Sequence, residues 1–150
     1  MGHGRKVEIE AEAKGTEALP LAFTEGEPVY SSFEDMPVWQ KAMDLAQKVF
    51  SLTDTLPRKE DYGLTSQVRR SALSVSGNLA EGFGRHHTKE KLNFYYASRG
   101  SLTETKSHIF YGQAVGYFAP TESGIVIQLA DEIWKELNAL IRSLRRTTQP

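Results

Sequence analysis

The chain has 150 residues, of which 39% are hydrophobic and 25% are charged, a composition typical of a single soluble globular domain. It contains no cysteine, which excludes a disulfide framework and a thiolate metal site, and no apolar run approaches membrane-spanning length. The formal net charge of −1 is far from the strongly basic balance that identifies a nucleic-acid binder by charge alone.

Residues 1–31 differ in charge from the rest of the chain. They hold three basic and six acidic residues, whereas the remainder holds 15 basic and 13 acidic residues. Glycine and proline are scattered through this segment and large apolar residues are few, a pattern typical of a chain that does not form a packed core. We therefore predict an acidic, disordered leader at residues 1–31 and a folded domain at residues 32–150.

The first predicted helix begins near Asp35, whose side chain can cap it, with Pro37 in its first turn. Pro57 should end this helix, because proline cannot continue the backbone hydrogen bonding. Between these points apolar residues recur in steps of three and four, as expected for one buried helical face. They are Ala42, Leu45, Val49, Leu52 and Leu56.

The second predicted helix runs from Tyr62 or Leu64 to about Gly82, where Gly82 and Gly84 are suitable stop signals. Its apolar stripe consists of Leu64, Val68, Ala72, Val75, Leu79 and Phe83. Serine, glycine, asparagine and a pair of arginines occupy many of its other positions, which is unusual for a helix that only fills a core.

Thr88 and Thr121 are the predicted caps of a third and a fourth helix, and Gly116 and Pro120 separate the two. The inward positions predicted for the third helix are Leu92, Tyr95 or Tyr96, Leu102, Ile109 and Gln113. Those of the fourth are Val126, Ala130, Ile133, Leu137, Leu140 and Leu144, beside a second stripe of Ile127, Trp134 and Ile141. No segment has the pattern of a strand. Four helices joined by short loops favour an all-α, up-down-up-down bundle.

Several ordered motifs resemble the four-helix bundle family of 23S ribosomal RNA intervening-sequence proteins. The motifs are Tyr62-Gly63-Leu64, Gln67-Val68-Arg69-Arg70, Asn78-Leu79-Ala80-Glu81-Gly82, Gly84-Arg85 and Ala97-Ser98-Arg99-Gly100-Ser101-Leu102. The resemblance covers about residues 33–146 and leaves the acidic leader outside. One departure is Ser76-Gly77, at a position where the family often carries proline.

This resemblance implies a left-handed four-helix bundle that forms rings, often pentamers. The chain is also similar in fold, by this resemblance, to the ring-shaped accessory proteins of diversity-generating retroelements, which bind nucleic acid. The family name describes a genomic location and implies no activity. The resemblance therefore implies a homo-oligomer, with a pentamer favoured, and RNA or DNA as a partner.

Enzyme chemistry finds little support in the residues. A di-iron bundle needs Glu-x-x-His pairs, and none of the four histidines has glutamate three positions before it. The spacing Gly77 to Gly82 mimics a phosphate loop, but Phe83 stands where lysine is required. We predict a cytoplasmic, non-enzymatic protein with no catalytic residue, no metal and no cofactor.

A polar set on the second and third helices has two interpretations. Asn78 and Glu81 share one face of the second helix, and Arg70 lies near that face two turns earlier. Arg99 or Glu104 is within possible reach on the antiparallel third helix. We favour a structural polar network of Arg70, Asn78, Glu81 and Glu104 that fixes helix register. The alternative is a pocket for a phosphate, a base or a small ligand.

Basic residues form the candidate nucleic-acid-binding set. The members are Arg69, Arg70, Arg85, Lys89, Arg99, Arg142, Arg145 and Arg146, with Lys91 beside them. Phosphate contacts from such a set would make binding dependent on salt. The alternative is an ordinary solvated surface, which is favoured for any single member.

Aromatic residues are frequent along the third helix and the turn after it. They are Phe94, Tyr95, Tyr96, Phe110, Tyr111, Tyr117 and Phe118. Core or subunit interface is the favoured role, and base stacking is the alternative. With the RNA partner that the family resemblance implies, we predict a self-assembling bundle associated with RNA. The alternative function is a protein-binding adaptor that uses this aromatic helix.

Overall fold

The computed structural model describes residues 29–148. The predicted disorder of residues 1–28 therefore lies outside the described residues. Tyr30, which the sequence prediction placed in the leader, is half-buried and packs against the core. The folded part of the chain thus extends slightly further toward the N-terminus than predicted.

Four α-helices make up most of the described chain, and no strand occurs within residues 29–148. They are α1 (Pro37–Thr53), α2 (Leu64–Phe83), α3 (Thr88–Ala114) and α4 (Pro120–Arg146). Short 3-10 turns at Phe33–Asp35 and Arg58–Glu60 precede α1 and α2. None of these helices is long and apolar enough to span a bilayer.

The helices pack in chain order around one core. Each helix packs against the next, and α4 packs against α1. Among the described residues, no Cα atoms of diagonally opposite helices lie within 8 Å of each other. The core contains the fully buried residues Leu45, Val49, Val68, Val75, Leu79, Leu102, Ile109, Ile133 and Leu137. The predicted all-α four-helix bundle is confirmed, and α2 runs unbroken through Gly77.

Three predicted helix caps are wrong. Asp35 lies in the 3-10 turn before α1, so the cap position falls on Met36, which makes no side-chain cap bond. Thr88 and Thr121 lie inside their helices, because the capping positions are His87 and Ala119. Pro120 starts α4 without needing a side-chain cap for its own nitrogen, since proline has no N–H to satisfy.

The end predicted for α1 and three of the predicted inward positions also need correction. The helix ends at Thr53, before Pro57, and the Thr53 hydroxyl donates to the Val49 carbonyl at 2.8 Å. On α3, Gln113 is only partly buried, and Gly112 takes the buried position beneath the Phe118 ring. On α4 the buried stripe continues through Ile141, whereas Leu140 and Leu144 are only partly buried.

Small hydroxyl residues line the contact between α2 and α3. The hydroxyls of Ser71 and Thr105 are hydrogen bonded at 2.9 Å, and the Ser98 hydroxyl donates to the Val75 carbonyl at 2.7 Å. Ser71, Ser98 and Thr105 are fully buried. Because each buried hydroxyl has a partner, this contact avoids the cost of an unpaired polar group. The bonds also specify how the two helices align.

Two open grooves follow the contact between α1 and α4. One, of about 480 Å³, lies between the start of α1 and the end of α4 and is lined by Met36 and Leu140. The other, of about 540 Å³, lies at the opposite end of the same contact and is lined by Lys48 and Ile125. Between them, Lys41 of α1 makes ion pairs with Glu132 and Glu136 of α4.

Glu60 connects the start of α2 to the segment between α3 and α4. Its carboxylate accepts the Leu64 N–H at 3.0 Å and the Tyr117 O–H at 2.8 Å. The backbone bond to Leu64, followed by the bond from Tyr117, favours the ionised form and lowers the pKa of Glu60 below its usual value.

This lowered pKa predicts a pH-dependent stability. The contribution of Glu60 is fully present above its unfolded-state pKa of about 4.3, and it is lost as the pH falls through the lower folded-state value. The urea midpoint of Glu60→Gln should therefore lie below that of the wild type at pH 7 and approach it near pH 3. A midpoint difference that stays constant over this range would show that Glu60 acts without its charge.

Candidate nucleic-acid interface

The structure divides the predicted basic set into residues that are held by the bundle and residues that are not. Arg69 belongs to the first group. Its Nε donates to Thr53 Oγ1 at 2.7 Å, and its guanidinium lies 4.3 Å from the centre of the Phe50 ring. Arg69 therefore packs α2 against α1, and its charge is only weakly paired, with Asp54 at 4.0 Å.

Arg70 points to the other neighbour of α2. Its Nη2 lies 3.2 Å from Glu104 of α3, and the same carboxylate lies 3.2 Å from His108 Nε2. Arg70 and Glu104 are thus brought together as the polar-network prediction requires. Both are partly exposed, so their ion pair contributes little to stability.

The other two members of the predicted network lie in separate local contacts. The Asn78 amide donates to the carbonyl and the hydroxyl of Ser74, each at 2.9 Å. Glu81 pairs with Arg85 one turn later at 2.6 Å. The four residues therefore form three separate contacts and provide no common pocket for a ligand.

Arg85 and Lys91 are also engaged within the bundle. Arg85 pairs with Glu81 and lies 4.8 Å from the centre of the Phe94 ring. Lys91 Nζ donates to the Phe83 carbonyl at 2.8 Å, where it satisfies the C-terminus of α2. Burial lowers the pKa of Lys91 below its usual value.

Arg99 lies in the groove between α3 and α4. Its Nη1 donates to Asn138 Oδ1 at 2.8 Å, and its guanidinium lies 5.2 Å from the Tyr96 ring centre and 5.8 Å from that of Trp134. Among residues 29–148, no carboxylate oxygen pairs with it within 4.0 Å. Its partners are therefore neutral, and its positive charge is not balanced. We call Tyr96, Arg99, Trp134 and Asn138 the indole cluster.

The contacts between α3 and α4 place the remaining cations together. Arg99 is level with Asn138, and Lys106 pairs with Asp131 at 2.6 Å one heptad further along. The same antiparallel register puts the first turns of α3, with Lys89, beside the last turns of α4. Those last turns carry Arg142, Arg145 and Arg146.

Lys89, Arg142 and Arg145 form what we call the basic end. All three are exposed, and none makes an ion pair with another described residue. Glu90 is the carboxylate in the first turn of α3 beside them. Each of the three side chains is therefore available to bind a phosphate from solvent.

The aromatic stripe is split between core and surface. Tyr95 and Phe118 are buried, and desolvation raises the pKa of Tyr95 to about 12. Phe110 and Tyr111, near the end of α3, remain 50% and 54% exposed. The aromatic residues therefore have two locations: Tyr95 and Phe118 belong to the core, and Phe110 and Tyr111 lie on the surface.

Other large apolar side chains are exposed at the same end of the bundle as Phe110 and Tyr111. This end, which we call the apolar end, holds the α1–α2 and α3–α4 connections. Besides those two residues, it carries Phe50, Tyr62, Val115 and Ile125 in exposed positions. Exposed apolar groups that gather in one region are typical of an interaction surface.

Sequence reasoning missed Trp134 and Asn138 as candidate site residues. Trp134 could have been found from the sequence, because it lies beside the main apolar stripe of α4, where a large aromatic side chain is often only partly buried. Within the described residues, no group of three or more histidine, cysteine, aspartate or glutamate side chains could hold a metal ion.

Comparisons with known proteins give one family and one fold. The family model described as 23S rRNA-intervening sequence protein matches residues 34–139. Among solved structures, the chain is similar to a protein of unknown function from the S23 ribosomal protein family of Bacteroides thetaiotaomicron, at 17% identity and a TM-score of 0.63. That match covers 69% of this chain and 97% of the other. No curated protein matches the chain significantly.

Proposed function

The chain belongs to the 23S rRNA-intervening sequence protein family, and from this membership we propose that it is a non-enzymatic, self-assembling bundle that binds RNA through its basic end. The observation that carries the proposal is a set of three exposed cations that make no ion pair with any residue the structure describes, namely Lys89, Arg142 and Arg145. No other part of the predicted basic set combines exposure with unbalanced charge to this degree.

Charge balance explains why these cations are the best candidates. Arg70 and Arg85 each have a carboxylate partner, so a phosphate would have to compete with an existing ion pair. At the basic end, no carboxylate among residues 29–148 forms an ion pair with which a phosphate would have to compete. Binding there would release counterions from the nucleic acid, and its affinity would fall steeply with salt.

A salt titration tests this function. Purified protein should retard a structured RNA in a gel at 50 mM salt, and the logarithm of its affinity should fall linearly with the logarithm of salt concentration. Three phosphate contacts predict a slope of about −2 to −3. Failure to bind RNA at low salt would reject the proposal.

Self-assembly is the second part of the proposal, and the apolar end supports it. A monomer would leave Phe110 and Tyr111 half exposed beside Tyr62 and Val115. Burying them against another copy would gain about 25 cal/mol for each Å² of apolar surface removed from water. We propose a homo-oligomer built through this end, with a ring of five copies as the expected assembly.

The double variant Phe110→Gln/Tyr111→Gln should shift the protein toward monomers, because it removes apolar surface at the apolar end without changing charge. Light scattering after size-exclusion chromatography measures the mass. The matched control is Leu73→Gln, since Leu73 is 61% exposed in the middle of α2, away from that end. Equal masses for the two variants would contradict the assignment.

A protein-binding adaptor is the alternative function, and the same apolar end would serve it. The two proposed functions predict different oligomeric states of the purified protein. A monomeric wild type would contradict self-assembly and would leave the apolar end for a different protein partner. Such a partner should stay bound at high salt, because apolar contacts are not screened.

A further inference from the structure

We infer that the α3–α4 groove binds single-stranded nucleic acid, with Trp134 as a platform on which an unpaired base stacks. This inference rests on the proposed function and adds the class of nucleic acid to it. It is carried by the indole cluster, whose four residues are distinct from the three cations of the basic end.

Trp134 is the first step. It is 40% exposed, although Ile141, one heptad along α4, is only 2% exposed. An indole left partly in water forgoes some of the stabilisation that its burial would provide. The ring therefore offers part of its surface to a ligand, and a nucleobase is a planar group that matches it.

Arg99 is the second step. Asn138 orients its guanidinium through a bond of 2.8 Å, and the Tyr96 and Trp134 rings lie beside it. All three partners are neutral, so the charge of Arg99 attracts an anion while its plane stays fixed. A nucleotide that stacks on Trp134 would bring a phosphate toward this charge.

The position of the cluster along α4 is the third step. Arg142 and Arg145 follow Trp134 by eight and eleven residues, or about 12 to 16 Å at 1.5 Å per residue. At about 3.4 Å per stacked nucleotide, this distance corresponds to roughly four nucleotides of one strand. One strand can therefore stack at the cluster and place its phosphates at the basic end.

Base pairing decides between a single strand and a duplex. In a duplex both faces of every internal base are covered by its neighbours, so only the two terminal base pairs have a face that could stack on an indole. A single strand exposes base faces, and stacking on aromatic side chains tolerates any sequence. The groove should therefore prefer unpaired RNA or DNA, and the duplex should use the basic end alone.

The test compares a 20-nucleotide RNA strand, the same sequence as DNA, and the 20-base-pair RNA duplex, by fluorescence polarisation at one salt concentration. Trp134→Leu should weaken binding of both single strands about tenfold, because stacking on an aromatic side chain contributes roughly this much or more for each base. Its affinity for the duplex should change less than about twofold. Trp134→Phe retains a ring and should recover most of the loss.

A second measurement does not depend on the stability of the leucine variant. In a Trp39→Phe background, Trp134 is the remaining tryptophan, and its fluorescence should be quenched by the single strands and not by the duplex. Binding of all three ligands with equal affinity, unchanged in Trp134→Leu and without quenching, would overturn the stacking platform and leave the basic end in place. No binding of any ligand by the wild type would overturn both proposals.

Discussion

Replacing Arg142 and Arg145 together by glutamine should weaken RNA binding by about 100-fold at low salt. Each arginine is exposed and without an ion pair among the described residues, so its loss removes a phosphate contact and leaves no partner unpaired. A hydrogen bond to a charged group contributes about tenfold or more in affinity. The logarithmic salt slope should also become shallower, by about 1.4 to 1.8 for the two contacts.

The matched control for this variant is Arg58→Gln/Lys59→Gln. It removes the same number of charges, also from exposed side chains without ion pairs among the described residues, but within the 3-10 turn that precedes α2. If net charge alone governed binding, both double variants would lose affinity equally. That outcome would contradict a located basic end, whereas a loss confined to Arg142 and Arg145 supports it.

Replacing Gly112 by alanine should destabilise the bundle by about 1 to 3 kcal/mol, the usual cost of overfilling a well-packed core. A Cβ at this position would overlap the Phe118 ring. That ring is only 3% exposed, and the Phe118 N–H bonds the Gly112 carbonyl at 3.2 Å, so neither partner can retreat without loss. Urea unfolding followed by circular dichroism measures the change.

Gly100→Ala is the companion measurement. Gly100 lies in the same helix, is exposed, and would meet no atom within 4 Å if it carried a Cβ. Alanine should therefore stabilise the bundle here by up to about 1 kcal/mol, since it is the better helix former. If both variants changed the stability in the same direction, the contact with Phe118 would not explain the effect of the substitution at Gly112.

Helices and most core positions were predictable because helical periodicity is a local property. Val68, Val75 and Leu79 share one face whatever surrounds them, and all three are fully buried. The errors lie at positions whose burial depends on how neighbouring elements pack. Gln113 has the right spacing for the core, but Phe118 folds back from the following turn and covers Gly112 instead.

The candidate site was predictable only in part, because charge pairing depends on other helices. Arg69 and Arg70 are adjacent in sequence, yet one contacts α1 and the other contacts α3. Arg99 was recognised as a basic residue, but its partner Asn138 follows from the register of α3 against α4. A single sequence contains no direct signal for that register.

The two grooves along the α1–α4 contact have a mechanical consequence. No loop joins α1 to α4, so side-chain contacts alone hold these two helices together, whereas a chain connection also links the helices of each of the other three contacts. Lys41, between the grooves, adds ion pairs with Glu132 and Glu136 to this packing, and because these side chains are partly exposed the pairs contribute little to stability. On the opposite side of the bundle, the buried hydroxyl hydrogen bonds between α2 and α3 hold those two helices in alignment.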